Sequence, residues 1–177
     1  TACSTGTFAV GIGSTTCPPC PSGSFASATG SVGCTLCAEG YFSAGNVASC
    51  TACPVGTAQP LPGRSSCDVC AKGTALAATA QIACKQCDAG FFANVTQLER
   101  CFACPKGSFS VKTGGLGAWS CTDCPTGEYM NVAGQGVCLL CNKGDSAPST
   151  GSTTCASCAP GKFSGASGAA NCTACLA

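Results

Sequence analysis

The chain has 177 residues, of which 21 are cysteine and none is histidine; only 8% are charged, and the formal net charge is +1. Cysteine at that density marks a disulfide scaffold made in an oxidising compartment and excludes an ordinary globular enzyme of the reducing cytosol. Eight Lys plus Arg against seven Asp plus Glu leave no basic face for nucleic acid and no acidic tail, which excludes charge steering as the mode of action.

The hydrophobic share of 45% rests heavily on cysteine and alanine, while aromatic residues reach 6% and 24 residues are glycine. A conventional core is not available, and cross-links are expected to replace it. No apolar run approaches the roughly 18 residues of a membrane span, so no span is expected in this segment. The opening Thr1-Ala2-Cys3-Ser4 does not resemble a signal peptide.

In chain order, Cys3 stands alone. Cysteines then come in pairs at Cys17/Cys20, Cys34/Cys37, Cys50/Cys53, Cys67/Cys70, Cys84/Cys87, Cys101/Cys104, Cys121/Cys124, Cys138/Cys141, Cys155/Cys158 and Cys172/Cys175. The spacing is C-x2-C-x13-C-x2-C with a period of 17; the gap from Cys37 to Cys50 is one residue shorter and that from Cys104 to Cys121 three longer. A fixed period of this kind predicts one continuous array over residues 1–177 rather than separate domains. Thr-Ala-Cys at the start recurs behind a cysteine at Cys50-Thr51-Ala52-Cys53 and Cys172-Thr173-Ala174-Cys175. The partner of Cys3 is therefore expected just before Thr1, which would make the chain a segment of a longer repeat protein.

Three residues after each second cysteine stands glycine, from Gly6 and Gly23 through Gly144 and Gly161. A slot that takes only glycine predicts a tight turn with positive φ or a close backbone approach. Two residues further an aromatic ring fills seven of the ten repeats (Phe8, Phe25, Phe42, Phe92, Phe109, Tyr129, Phe163), and these rings are expected to cover the disulfides. A second glycine, at Gly13, Gly30, Gly63, Gly114, Gly134, Gly151 and Gly168, predicts a second turn. The expected fold is a small disulfide-rich repeat array, an elongated rod or solenoid of short irregular β-strands and loops with little or no helix.

Two pairing schemes satisfy the cysteine parity. Each loop closes on itself, Cys3 to Cys17 and onward, leaving Cys175 over; or pairs interlock, Cys17 to Cys34 with Cys20 to Cys37 and onward, leaving Cys3. Both irregular gaps fall outside the modules of the second scheme (17–37, 50–70, 84–104, 121–141, 155–175), which favours interlocking.

Between Cys53 and Cys87 both aromatic slots hold alanine, Ala58 and Ala75, and Leu61, Leu76 and Ile82 are candidates for an apolar surface against a neighbouring chain, or else fill the emptied slots. The enlarged loop before Cys121 contains Lys112-Thr113-Gly114-Gly115-Leu116-Gly117-Ala118-Trp119 with the only tryptophan. Trp119 is a candidate interface residue, with capping of a nearby bridge as the alternative. Two glycosylation sequons occur, Asn94-Val95-Thr96 and Asn171-Cys172-Thr173, the second compromised by its cysteine.

The motif C-x-x-C-P-x-G-x-F, as in Cys17-Pro18-Pro19-Cys20-Pro21-Ser22-Gly23-Ser24-Phe25 and Cys101-Phe102-Ala103-Cys104-Pro105-Lys106-Gly107-Ser108-Phe109, resembles the ephrin-receptor-like cysteine-rich repeat, a relative of tumour-necrosis-factor-receptor modules. The resemblance covers the whole chain and implies an elongated extracellular disulfide scaffold. It departs where Ala58, Ala75 and Ser146 replace the ring, and it implies no single function.

Paired C-x-x-C motifs also suit zinc, but a uniform tandem array without histidine favours disulfides. The Cys17-Pro18-Pro19-Cys20 segment sits among turns, not at the start of a helix as a redox motif would. The acidic residues share no motif for acid–base work or calcium. No enzyme activity, metal or cofactor is expected. The chain reads as a structural extracellular or cell-surface protein, a filament, appendage or coat built with copies of itself or other structural proteins and carrying glycans. The alternative is the stalk or ligand-binding ectodomain of a receptor or adhesion protein. From Thr1 to Gly63 the only charged side chain is Glu39, which favours the structural reading.

Overall fold

A computed structural model of the chain describes residues 2–11, 13–112 and 117–176. Gly114, Gly115 and Leu116, singled out in the enlarged loop, lie outside the described residues. Among the described residues there is no helix; eighteen strands of two residues each pair into nine antiparallel ladders.

One hairpin is the repeating unit. Pro21–Ser24 forms a turn closed by the Ser24 N–H donating to the Pro21 carbonyl at 3.1 Å. Ser24–Phe25 then pairs with Thr35–Leu36, the two residues between the next cysteines. Glu128–Tyr129 pairs with Leu139–Leu140 in the same way. The glycine inside the turn meets both conditions its slot predicts: Gly23 has φ +81°, and a Cβ there would run into the Gly63 carbonyl two repeats on. The second turn is also left-handed where the sequence holds no glycine, at Asn46 (φ 55°), Ala80 (φ 57°) and Gln97 (φ 62°).

The chain divides into two compact units, one of Thr1–Ala71, Ala75–Lys85 and Thr96–Arg100, the other of Lys72–Thr74, Gln86–Val95 and Cys101–Ala177. Within the first, three backbone hydrogen bonds join one repeat to the next: Gly23 N–H to Ser43 C=O (2.7 Å), Ala26 N–H to Val47 C=O (3.2 Å) and Asn46 N–H to Cys20 C=O (2.9 Å). Within the second, the same three recur from Gly127 to Ala147 (2.8 Å), Met130 to Ser152 (3.0 Å) and Gly151 to Cys124 (2.8 Å). These junctions satisfy backbone groups that a chain so poor in regular structure would otherwise leave to water.

The disulfides correct the interlocking expectation. Each loop closes on itself: Cys3–Cys17, Cys20–Cys34, Cys37–Cys50, Cys53–Cys67, Cys70–Cys84, Cys87–Cys101, Cys104–Cys121, Cys124–Cys138, Cys141–Cys155 and Cys158–Cys172. Cys3 is thus bridged and Cys175 is free, so the 34-residue modules are not what the bridges define. The physical reason lies in the loops. The short loop spans a sequence separation of 13 and the long one 17, yet both hold their cysteines at the same Cα–Cα distance of 5.7 Å. Length differences are absorbed inside the hairpin, so gap lengths carry no information about pairing.

The interior is thin. The second cysteine of a motif is fully buried from Cys20 to Cys141, whereas its bridge partner is mostly half-buried. The sixth residue after that cysteine is also interior: Ala26, Ser43, Gln59, Leu76, Ala93, Ser110, Met130, Ala147 and Ser164 are all buried. Polar members are satisfied, as where Ser43 Oγ donates to the Ser24 carbonyl at 2.9 Å and Gln59 Nε2 to that of Ser66 at 2.8 Å. In the first unit Leu76 packs with Ala58 and Cys70. In the second Met130 packs with Cys124 and Cys138 beneath Phe109.

Candidate functional site: exposed side chains on a disulfide frame

The frame presents side chains from three places: the two residues between paired cysteines, the loop after the strand, and the enlarged loop. Between the cysteines stand Leu36, Val69, Phe102, Leu139 and Leu140, all exposed. Two of these also pack. The Leu36 Cδ2 lies 3.2 Å from where a Cβ on Gly63 would sit, and that of Leu140 2.8 Å from the corresponding point on Gly168. A bulky residue ahead of the second cysteine thus fills the space that the next repeat's second glycine leaves empty. The sequence reading missed both this pairing and the interior sixth position. A signal for the latter exists, since no charged residue, glycine or proline occupies it in any repeat.

The candidates from the emptied middle separate. Leu76 is buried, and its contact with Ala58 places it where a ring is missing, which removes it from the proposed surface. Leu61 and Ile82 are about half exposed. The aromatic slot is less sheltering than expected. Phe109 packs over the Cys124–Cys138 bridge, but Phe163 is 49% exposed.

Trp119 is 61% exposed, which disfavours the capping alternative. It follows Ala118, whose carbonyl accepts the Ala93 N–H at 3.0 Å, and precedes bridged Cys121. The Gly117 backbone abuts the carbonyl of Gly73. Gly117 thus takes up the close packing contact that the second turn makes in other repeats, and the ring stands next to a residue held by a backbone hydrogen bond. At the near end of the loop Lys112 Nζ lies 3.6 Å from Asp88 Oδ1, a solvated ion pair of small energetic weight.

The two sequons differ in setting. Asn94 is exposed in the middle of the Cys87–Cys101 loop; Asn171 is exposed but adjoins bridged Cys172, and its Thr173 lies in a ladder opposite Phe163. Among the described residues no three His, Cys, Asp or Glu side chains are grouped to hold a metal ion, and no helix is long and apolar enough to cross a membrane.

A family model described as "Tyrosine-protein kinase ephrin type A/B receptor-like" matches residues 40–80 and 113–154. No curated protein matches the chain. The matched segments contain cysteine hairpins of the kind described above, and ten bridges in regular tandem fit the same repeat.

Proposed function

We propose, from the premise that this chain carries tandem ephrin-receptor-like cysteine-rich repeats, that it is a structural element of an extracellular filament, appendage or cell-surface layer, built with copies of itself or other structural proteins. The repeat family is a non-catalytic extracellular module type, and with the many disulfides it suggests an extracellular or cell-surface location. What supports the structural reading is the junction between repeats. It is made of backbone hydrogen bonds and a glycine contact, so successive repeats keep one register while their surface residues change freely. Electron microscopy of native material tests it: a regular polymer supports the reading, and isolated particles that never associate overturn it.

A receptor or adhesion ectodomain is the second reading, favoured by the family match and by the exposed Trp119. Binding of a soluble protein ligand that is lost in Trp119→Ala, with no polymer in the native material, would establish it instead.

A further inference from the structure

We propose that Asn94 is the N-glycan acceptor of this chain, and that occupancy at Asn171 is decided by a race with closure of the Cys158–Cys172 bridge. The inference needs only passage through a secretory compartment and stands apart from the filament reading. A chain with ten disulfides is made where lipid-linked oligosaccharide is transferred to N-x-[ST] sequons. In that transfer the Asn Nδ2 attacks the anomeric carbon of an oligosaccharide held on a polyprenyl pyrophosphate. The C–N bond forms, the C–O bond to the pyrophosphate breaks, the amide loses a proton and the polyprenyl pyrophosphate leaves. The acceptor tripeptide must enter the enzyme's groove with its backbone free.

Asn94-Val95-Thr96 meets that requirement in the finished fold. All three residues are exposed, and Val95 is 50% accessible. Among the described residues no backbone or side-chain hydrogen bond engages any of them. Anchors stand on either side, the Ala93 N–H on the Ala118 carbonyl and the Gln97 N–H on the Cys70 carbonyl at 2.8 Å. The sequon lies midway between Cys87 and Cys101, and none of its residues is part of the bridge.

Asn171-Cys172-Thr173 is the opposite case. Its middle residue is bridged to Cys158 with the Cα atoms 5.7 Å apart. Thr173, whose hydroxyl the transferase must read, is paired with Phe163. Cys172 Sγ also lies 3.3 Å from Ser146 Oγ. Once the bridge is closed Cys172 is tied down and Thr173 lies in a ladder; before closure the tripeptide is an ordinary acceptor.

The test is site-resolved glycopeptide mass spectrometry on the chain secreted from eukaryotic cells, with and without dithiothreitol during synthesis. Asn94 is expected to be occupied in most molecules under both conditions, and Thr96→Ala to abolish that glycan. Asn171 is expected to be largely empty under oxidising conditions and to gain occupancy several-fold with reductant. Should reductant block secretion, the paired substitutions Cys158→Ser and Cys172→Ser remove the bridge, keep a sequon, and should give the same rise. An empty Asn94 in the secreted chain overturns the acceptor assignment. Asn171 filled as fully as Asn94 without reductant, or indifferent to loss of the bridge, overturns the race.

Discussion

Gly13 and Gly23 have nearly the same φ, 80° and 81°, and very different neighbours. Nothing lies within 4 Å of a Cβ added at Gly13, whereas one at Gly23 would meet the backbone of Gly63. Gly13→Ala should therefore cost only the left-handed penalty, about 1–2 kcal/mol. Gly23→Ala adds an overlap that no side chain can relieve and should cost roughly 3–5 kcal/mol. Equal losses in thermal unfolding would show that φ alone matters. The converse change is available at Ala80 and Gln97, which already sit at φ 57° and 62°. Ala80→Gly and Gln97→Gly should each stabilise by up to about 1 kcal/mol, because relief of strain exceeds the added chain entropy. Calorimetry on the oxidised chain measures this.

At the scale of the hairpin, the interior is a set of small compensations between adjacent repeats. Leu76 against Ala58 and Met130 beneath Phe109 are two solutions to one packing site. Leu76→Ala should cost about 2–4 kcal/mol by opening a cavity, while Leu61→Ala, at an exposed site, should change stability by less than about 0.5 kcal/mol. Adding Ala58→Phe to Leu76→Ala should recover part of the loss, and no recovery in denaturant titration would mean that the two positions do not share a site. This layer also marks the limit of what was legible in the sequence. The turn glycines were readable because backbone sterics admit no substitute. The left-handed turns at Asn46, Ala80 and Gln97 were hidden because the neighbouring hydrogen bonds impose the conformation on ordinary residues. The bridge pattern was misread because loops of unequal length close over the same distance. The interior sixth position was overlooked because its occupants range from Ala to Gln and Met, and are held by contacts that differ from repeat to repeat.

For the whole molecule, the bridges stand in for a core. Loops of this size each contribute about 3 kcal/mol in the chain-entropy picture, though not additively. Non-reducing peptide mapping should recover Cys20 joined to Cys34 and Cys104 joined to Cys121, as the structure has them. Full reduction should abolish protease resistance; a reduced chain that kept it would show that packing alone suffices. At the surface, Trp119→Ala should weaken association between copies while leaving the peptide map unchanged. Unaltered association together with a lowered melting temperature would give the ring a role in stability instead.

Closure of every loop on itself also decides how the chain bears tension. A pull along the backbone enters a hairpin at one cysteine and leaves through the sulfur–sulfur bond at the other, bypassing the residues between. Only the short segments within each C-x-x-C lie on the loaded path, so an oxidised chain has little hidden length to pay out even after its ladders part. Cutting one bridge of sequence separation 14 would release roughly 45 Å of contour. Extensibility in a single-molecule pulling experiment should therefore rise in discrete steps of about that size as reductant is added, which makes the redox state of the surroundings a control on stiffness.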